Sequence, residues 1–96
     1  MVDLLNDSGL KNMCIQSGIS YLGLFGSYAR DEQKSTSDID LLVRFNKPIG
    51  YFKLVQVQEN IKTLLNKDVD LVTENALSKY IKPYVYKDLK TIYGSR

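Results

Sequence analysis

The chain contains no histidine, a single cysteine and no long apolar run. Without histidine, Ser-His-Asp and Cys-His catalysis, histidine general bases and histidine-ligated zinc are all excluded. The lone Cys14 can form neither an internal disulfide nor a cysteine metal cluster, which agrees with a reducing compartment. Carboxylates must therefore carry any metal ion.

Membrane and nucleic-acid partners also find little support in the composition. No stretch approaches the roughly 20 apolar residues of a transmembrane helix, and residues 1–7 have early acidic residues and no apolar leader. Thirteen basic and eleven acidic residues give a net charge of +2, too even to indicate direct nucleic-acid binding. We expect a single cytoplasmic domain over residues 1–96 with no membrane association.

The apolar spacing predicts helices alternating with strands. We expect a helix near residues 7–17, a short helix after Gly26 and a longer one after the turn at residues 46–50 up to Leu65. The last third is expected to form two helices, separated at Pro83 and ending at Gly94. Strands are expected at 19–25, 37–45 and 67–73. The predicted order is α-β-α-β-α-β-α. The predicted fold class is therefore α/β (α+β), a small mixed β-sheet of three or so strands flanked by helices.

Asp38 and Asp40 lie two residues apart in the second predicted strand. Side chains alternate across a strand, so both carboxylates should project from one face with Cα atoms roughly 7 Å apart. Two like charges in an otherwise apolar strand are costly unless they share a cation. Mg²⁺ fits, because it takes one or two carboxylates together with substrate phosphates. The pair indicates metal-assisted phosphoryl chemistry.

Gly26 and Ser27 stand where the first predicted strand ends. The glycine lets the backbone approach a ligand, and free N–H groups at a following helix would face an anion. The Ser27 hydroxyl adds a donor. The Gly-Lys-Ser/Thr ending of a Walker P-loop is absent. A capping role would explain Ser27 alone but would leave the carboxylates unexplained.

A third acid is expected from the strand over 67–73. Asp70 would complete a two-metal site if this strand lies beside the one carrying Asp38 and Asp40. Asp68 shares the predicted face and becomes the functional acid if the register differs. Both assignments stay open from the residues alone.

The run Gly26-Ser-Tyr-Ala-Arg30 and the following Ser37-Asp38-Ile-Asp40-Leu-Leu-Val43 resemble the signature of the nucleotidyltransferase superfamily related to DNA polymerase beta. The length and ending are similar, more narrowly, to the minimal nucleotidyltransferase (MNT) antitoxins that pair with HEPN-domain toxins. This resemblance spans essentially the whole chain. Where family members commonly carry glycine after the motif arginine, this chain has Asp31.

The resemblance implies a nucleotidyltransferase palm-like fold with Mg²⁺, two ions, as cofactor and ATP as substrate. Its site residues would be Asp38, Asp40 and Asp70 as catalytic metal ligands and Gly26, Ser27 and Arg30 around the nucleotide. Arg30 could equally be a surface ion-pair partner of Asp31 or Glu32. The implied reaction transfers AMP to a tyrosine of a HEPN toxin in a hetero-oligomer.

Two other functions remain open. The chain could be an antitoxin that acts by docking alone, or a nucleotidyltransferase for a small molecule such as an aminoglycoside. The carboxyl-terminal tyrosines fit a partner surface, with ordinary half-buried packing as the alternative; they are Tyr80, Tyr84, Tyr86 and Tyr93.

Overall fold

A computed structural model describes residues 4–96 of the chain. Residues 1–3, part of the segment in which no apolar leader is expected, lie outside the described residues. In chain order the helices and strands are α1 (Ser8–Gln16), β1 (Ile19–Phe25), β2 (Ile39–Phe45), α2 (Tyr51–Leu65), β3 (Val69–Thr73), α3 (Lys82–Asp88) and β4 (Lys90–Gly94). Within this range no helix is long and apolar enough to cross a membrane.

Local signals account for the first half of the fold. The Asp7 carboxylate accepts a hydrogen bond from the Leu10 N–H at 2.9 Å, so Asp7 caps α1. β1 has the predicted bounds and is buried on both faces. α2 ends at Leu65, as predicted, and Asn66 follows it in the left-handed conformation.

The four strands form one mixed sheet in the order β3-β2-β1-β4. β2 and β3 run parallel, whereas β1 is antiparallel to both β2 and β4. The three predicted strands are confirmed, although β2 and β3 each begin two residues later than expected, at Ile39 and Val69. The parallel pairing of β2 with β3 is the adjacency on which the third acid depended.

The prediction of helix up to Gly94 is wrong. α3 ends at Asp88, and residues 90–94 form β4 along the edge of β1. Val85, Leu89 and Ile92 have helical spacing, but Thr91, Ile92 and Tyr93 favour strands. Ile92 reaches the core from the sheet instead.

The short helix expected after Gly26 is also absent. The N–H groups of Ala29 and Arg30 both donate to the Gly26 carbonyl, at 3.0 and 3.1 Å, and form a turn that does not continue. Asp31 then takes a left-handed conformation with φ 60°, which a helix cannot accommodate. Ser27 therefore caps no helix.

The helices pack on two faces of the sheet. α1 and α2 cover one face, where Ile39, Leu41 and Val43 of β2 join the main core. α3 covers the other face through Val85, which packs in a smaller cluster with Tyr21 and Leu42. Because strand side chains alternate, Asp40 lies on the α3 face.

Candidate active site

Asp40 and Asp70 are neighbours across the parallel pair of strands. Their Cα atoms are register partners, one residue pair before Leu41 and Leu71. Adjacent strands lie roughly 4.8 Å apart, so the two side chains leave the same sheet face side by side. Burial, followed by the charges of Asp70 and Asp38, raises the pKa of Asp40 above its ordinary value. The fold thus places like charges together.

Asp38 lies just before the first residue of β2 and is exposed. The Ile39 N–H donates to the Asp68 carbonyl at 3.0 Å, which ties the start of β2 to the residue before β3. The charge of Asp38 acts on Asp40. Only Asp40 is within the strand, so the projection of both carboxylates from one strand face stays a prediction for Asp38.

The turn that begins at Gly26 lies directly against Asp40. Phe25 is the register partner of Asp40, and Gly26 follows with φ 77°. A Cβ at position 26 would collide with the Asp40 carboxylate oxygen Oδ2. Glycine is required here both for the positive φ and for the close approach.

Ser27 lies in the same turn and is half-buried. Its carbonyl accepts the Glu32 N–H at 2.9 Å. The turn and the carboxylates, which the sequence brings within eleven positions of each other, therefore meet in space.

Arg30 is held by two acids. Its Nε donates to Glu32 Oε1 at 2.9 Å and its Nη1 to Asp88 Oδ2 at 2.5 Å. These hydrogen bonds, with Glu32 the larger contributor, raise the pKa of Arg30, and its positive charge opposes the rise in the pKa of Asp40. Sequence reasoning found Glu32 but missed Asp88, because a partner 58 positions away leaves no local signal.

Asp68 occupies a different environment from Asp70. Its Oδ1 lies 3.8 Å from Lys62 Nζ of α2, and its side chain is 78% exposed. With Lys62 and Asn66 it lines an open groove of about 520 Å³ beside the end of α2. Of the two candidates, Asp70 is therefore the acid that faces Asp40.

The donor set favours a hard cation that shares its ligands with a substrate. Within residues 4–96 no group of three or more acidic or cysteine side chains is arranged to hold a metal ion by itself. Carboxylate oxygens nevertheless suit Mg²⁺, which is commonly held by one or two carboxylates plus phosphate oxygens. The cluster fits an ion whose coordination a bound triphosphate completes.

The tyrosines expected at a partner surface divide into two groups. Tyr80 and Tyr84 are 74% and 69% exposed. Tyr86 instead donates its hydroxyl to Glu74 Oε2 at 2.7 Å, and Tyr93 packs against the main core. Only the first two offer a large surface to a partner.

Comparison with known proteins identifies the family. Residues 9–92 match the nucleotidyltransferase domain family. The chain belongs to this family, and it is a nucleotidyltransferase. The protein adenylyltransferase MntA of Thermococcus cleftensis is 36% identical over 72 residues, covering 75% of this chain and 73% of that protein. The protein MJ1217 of Methanocaldococcus jannaschii is 42% identical over 72 residues, covering 74% of each chain.

Solved structures share the fold. A chain in the crystal structure of a toxin-antitoxin with AMP-PNP superposes with a TM-score of 0.80 at 24% identity, covering 96% of this chain and 76% of that one. A chain in a complex of tri-AMPylated Shewanella oneidensis HEPN toxin with MNT antitoxin gives a TM-score of 0.73 at 22% identity, covering 98% and 74%. The mixed sheet with flanking helices is thus a nucleotidyltransferase fold.

Proposed function

We propose that this protein is an antitoxin that transfers AMP from ATP to a tyrosine of a HEPN ribonuclease toxin in the cytoplasm. The observation that carries the proposal is the pairing of Asp40 with Asp70 beside the Gly26 turn. Support for the acceptor comes from the name of the T. cleftensis relative and from the AMPylated toxin in the S. oneidensis complex. The AMP-PNP complex supports ATP as the donor.

Each site residue has a role in this reaction. Asp38, Asp40 and Asp70 would hold two Mg²⁺ ions, whose charge would stabilise the phosphates and the acceptor oxygen. Gly26 lets the turn lie against the Asp40 carboxylate, and the Ser27 hydroxyl would donate to a phosphate oxygen. Arg30 adds positive charge at the same edge of the sheet. Catalysis then consists mostly of positioning and charge stabilisation.

The transfer is a single displacement at the α-phosphorus of ATP. The tyrosine hydroxyl oxygen forms a bond to the α-phosphorus, and the bond from that phosphorus to the bridging oxygen breaks. Pyrophosphate leaves with the electron pair. We assign the hydroxyl proton to the Asp70 carboxylate, a choice supported by its exposure and its position beside Asp40.

Docking is an independent way for an antitoxin to silence its toxin. Tyr84 is in α3, which covers the same sheet face as Asp40, and Tyr80 lies two residues before this helix; both are exposed. Aromatic side chains are enriched in the cores of protein interfaces. We therefore expect a hetero-oligomer in which this surface contributes to binding, with no direct nucleic-acid contact.

Intact-mass measurement of the HEPN partner after incubation with this protein, ATP and Mg²⁺ tests the proposal. We expect one or more AMP additions to the toxin, lost in Asp40→Asn and retained in Asp68→Asn. An unmodified toxin that Asp40→Asn still neutralises fully would show that docking alone is the function. Modification of a small molecule instead of the toxin would contradict the proposed acceptor.

A further inference from the structure

Asp88 links α3 to the turn that borders the carboxylates. Its Oδ2 accepts a hydrogen bond from Arg30 Nη1 at 2.5 Å, and its side chain is only 15% exposed. Glu32, the other partner of Arg30, is 62% exposed. Charged pairs in partly shielded surroundings are screened less by water than fully exposed pairs. Asp88 is therefore the less solvent-screened of the two partners, although Glu32 contributes more to the raised pKa of Arg30.

The geometry leaves part of the guanidinium free. Arginine carries five N–H donors in a rigid plane, and the Nε and Nη1 atoms of Arg30 are engaged by Glu32 and Asp88. Nη2 makes none of the hydrogen bonds found within residues 4–96. A planar donor group of this kind matches phosphate oxygens.

The main chain of Arg30 is fixed to the same turn. Its N–H donates to the Gly26 carbonyl at 3.1 Å, and Gly26 abuts the Asp40 carboxylate. Both ends of the Arg30 side chain are thus anchored, the Cα end by the turn and the guanidinium end by α3. The guanidinium is thus held by a turn that borders Asp40 and by the last residue of α3.

Helix stability gives no reason for an acid at position 88. Asp88 is the last residue of α3, where the helix dipole disfavours negative charge. An acid close to a triphosphate site also repels the substrate. Its contact with Arg30 is the compensating interaction.

We propose that Asp88 is a positioning residue, which holds the Arg30 guanidinium so that its free Nη2 donors meet the triphosphate of ATP. The inference rests on the proposed function, because it requires ATP to bind beside Asp40. It assigns Asp88 no contact with substrate. Its favourable effect on ATP binding passes through Arg30.

The sign of the effect separates positioning from general electrostatics. Removing an acid near a polyanion should strengthen ATP binding if Asp88 acts only through its charge. Removing an anchor of Arg30 should weaken binding, because the arginine must then be ordered when ATP binds. Asp88→Asn therefore has opposite predicted outcomes under the two explanations.

Titration calorimetry of ATP with Mg²⁺ on the full chain is the first measurement. We expect Asp88→Asn to weaken ATP binding by about tenfold, the scale of one hydrogen bond to a charged group. In an Arg30→Ala background the same substitution should no longer weaken ATP binding, because only the relief of charge repulsion then remains. In toxin modification assays it should raise KM for ATP more than it lowers kcat.

Glu59→Gln is the matched charge control. It also removes one negative charge, from a residue paired with Lys62 on α2, and should leave ATP affinity unchanged. Asp88→Glu keeps the charge and should recover part of the affinity, which keeps the test informative if Asp88→Asn folds poorly.

Three results would overturn the inference. They are tighter or unchanged ATP binding in Asp88→Asn, an equal loss with and without Arg30, and a fall in kcat with no change in KM. Failure of the wild-type chain to bind ATP would reject the proposed function itself. Wild-type binding combined with an unaffected Asp88→Asn would reject only the role of Asp88.

Discussion

The charged side chains at the two ends of the paired strands β2 and β3 are arranged in opposite ways. At one end Asp40 faces Asp70, two acids in register. At the other end Arg44 Nε forms an ion pair with Glu74 Oε1, and Tyr86 donates to the second oxygen of Glu74. Between the two ends Leu42 and Val72, also register partners, pack beneath α3.

The difference shows which charges the fold needs. Arg44 and Glu74 have opposite charges, and their contact is a charge-assisted hydrogen bond. Asp40 and Asp70 repel each other, and no basic side chain of residues 4–96 forms an ion pair with either acid. Like charges kept together at a sheet edge indicate a site for a cationic ligand.

Breaking the acidic end should give the largest effect. Asp40→Asn removes a proposed metal ligand, so we expect toxin AMPylation to fall by about a hundredfold or more. Asp68→Asn removes an acid that faces Lys62 instead, and it should keep most of the activity. Rates of AMP incorporation measured at equal protein concentration compare the two. Near wild-type activity in Asp40→Asn would exclude Asp40 as a ligand.

Removing the Arg44–Glu74 ion pair should lower stability without abolishing activity. Glu74→Gln weakens the contacts to both Arg44 and Tyr86, and we expect it to lower the free energy of unfolding by about 1 kcal/mol after allowance for solvent screening. Glu59→Gln loses only an exposed pair with Lys62 and should cost less than about 0.5 kcal/mol. Urea unfolding at neutral pH measures both. Equal losses of unfolding free energy in the two variants would contradict a greater stabilising role for Glu74 than for Glu59.

The two ends should also respond oppositely to pH. Because the pKa of Asp40 is raised in the folded chain, its contribution to stability falls as pH rises from its ordinary pKa through the folded value. The pKa of Glu74 is lowered by its hydrogen bonds from Arg44 and Tyr86. Its stabilising contribution is complete above its ordinary pKa and is lost as pH falls through the folded value.

Unfolding curves in a chelator, from about pH 3 to about pH 7, measure this contrast. Relative to wild type, Asp40→Asn should gain stability as pH rises, while Glu74→Gln should lose it. Parallel curves for the two variants would contradict the assigned pKa directions.

The smallest effect is expected in the turn that joins the acidic end to Arg30. Asp31 has φ 60°, a conformation that costs side chains with a Cβ about 1–2 kcal/mol. Asp31→Gly relieves this strain but adds freedom to the unfolded chain, so we expect a net gain within about 0.5 kcal/mol. Asp31→Ala keeps the positive φ in a residue that adopts the left-handed conformation less readily than aspartate and should be the less stable variant. Thermal unfolding orders the pair.

Sequence reasoning was strongest where neighbours along the chain decide the structure. The cap at Asp7, the bounds of β1 and the end of α2 at Leu65 all depend on residues within a few positions. It failed where two local patterns competed, as at Leu89 to Tyr93, whose apolar spacing fits a helix while the residue types favour a strand. Pairing with β1 decided that segment.

The candidate site divides in the same way. The residue types predict the chemistry of the site, since the chain has carboxylates without histidine and Gly26 and Ser27 stand close to Asp38 and Asp40 along it. The pairing of Asp70, and not Asp68, with Asp40 and the contact of Asp88 with Arg30 depend on tertiary structure. Local spacing determines which atoms a segment presents, but strand register and helix docking determine which distant atoms meet, because those contacts form only when the sheet assembles.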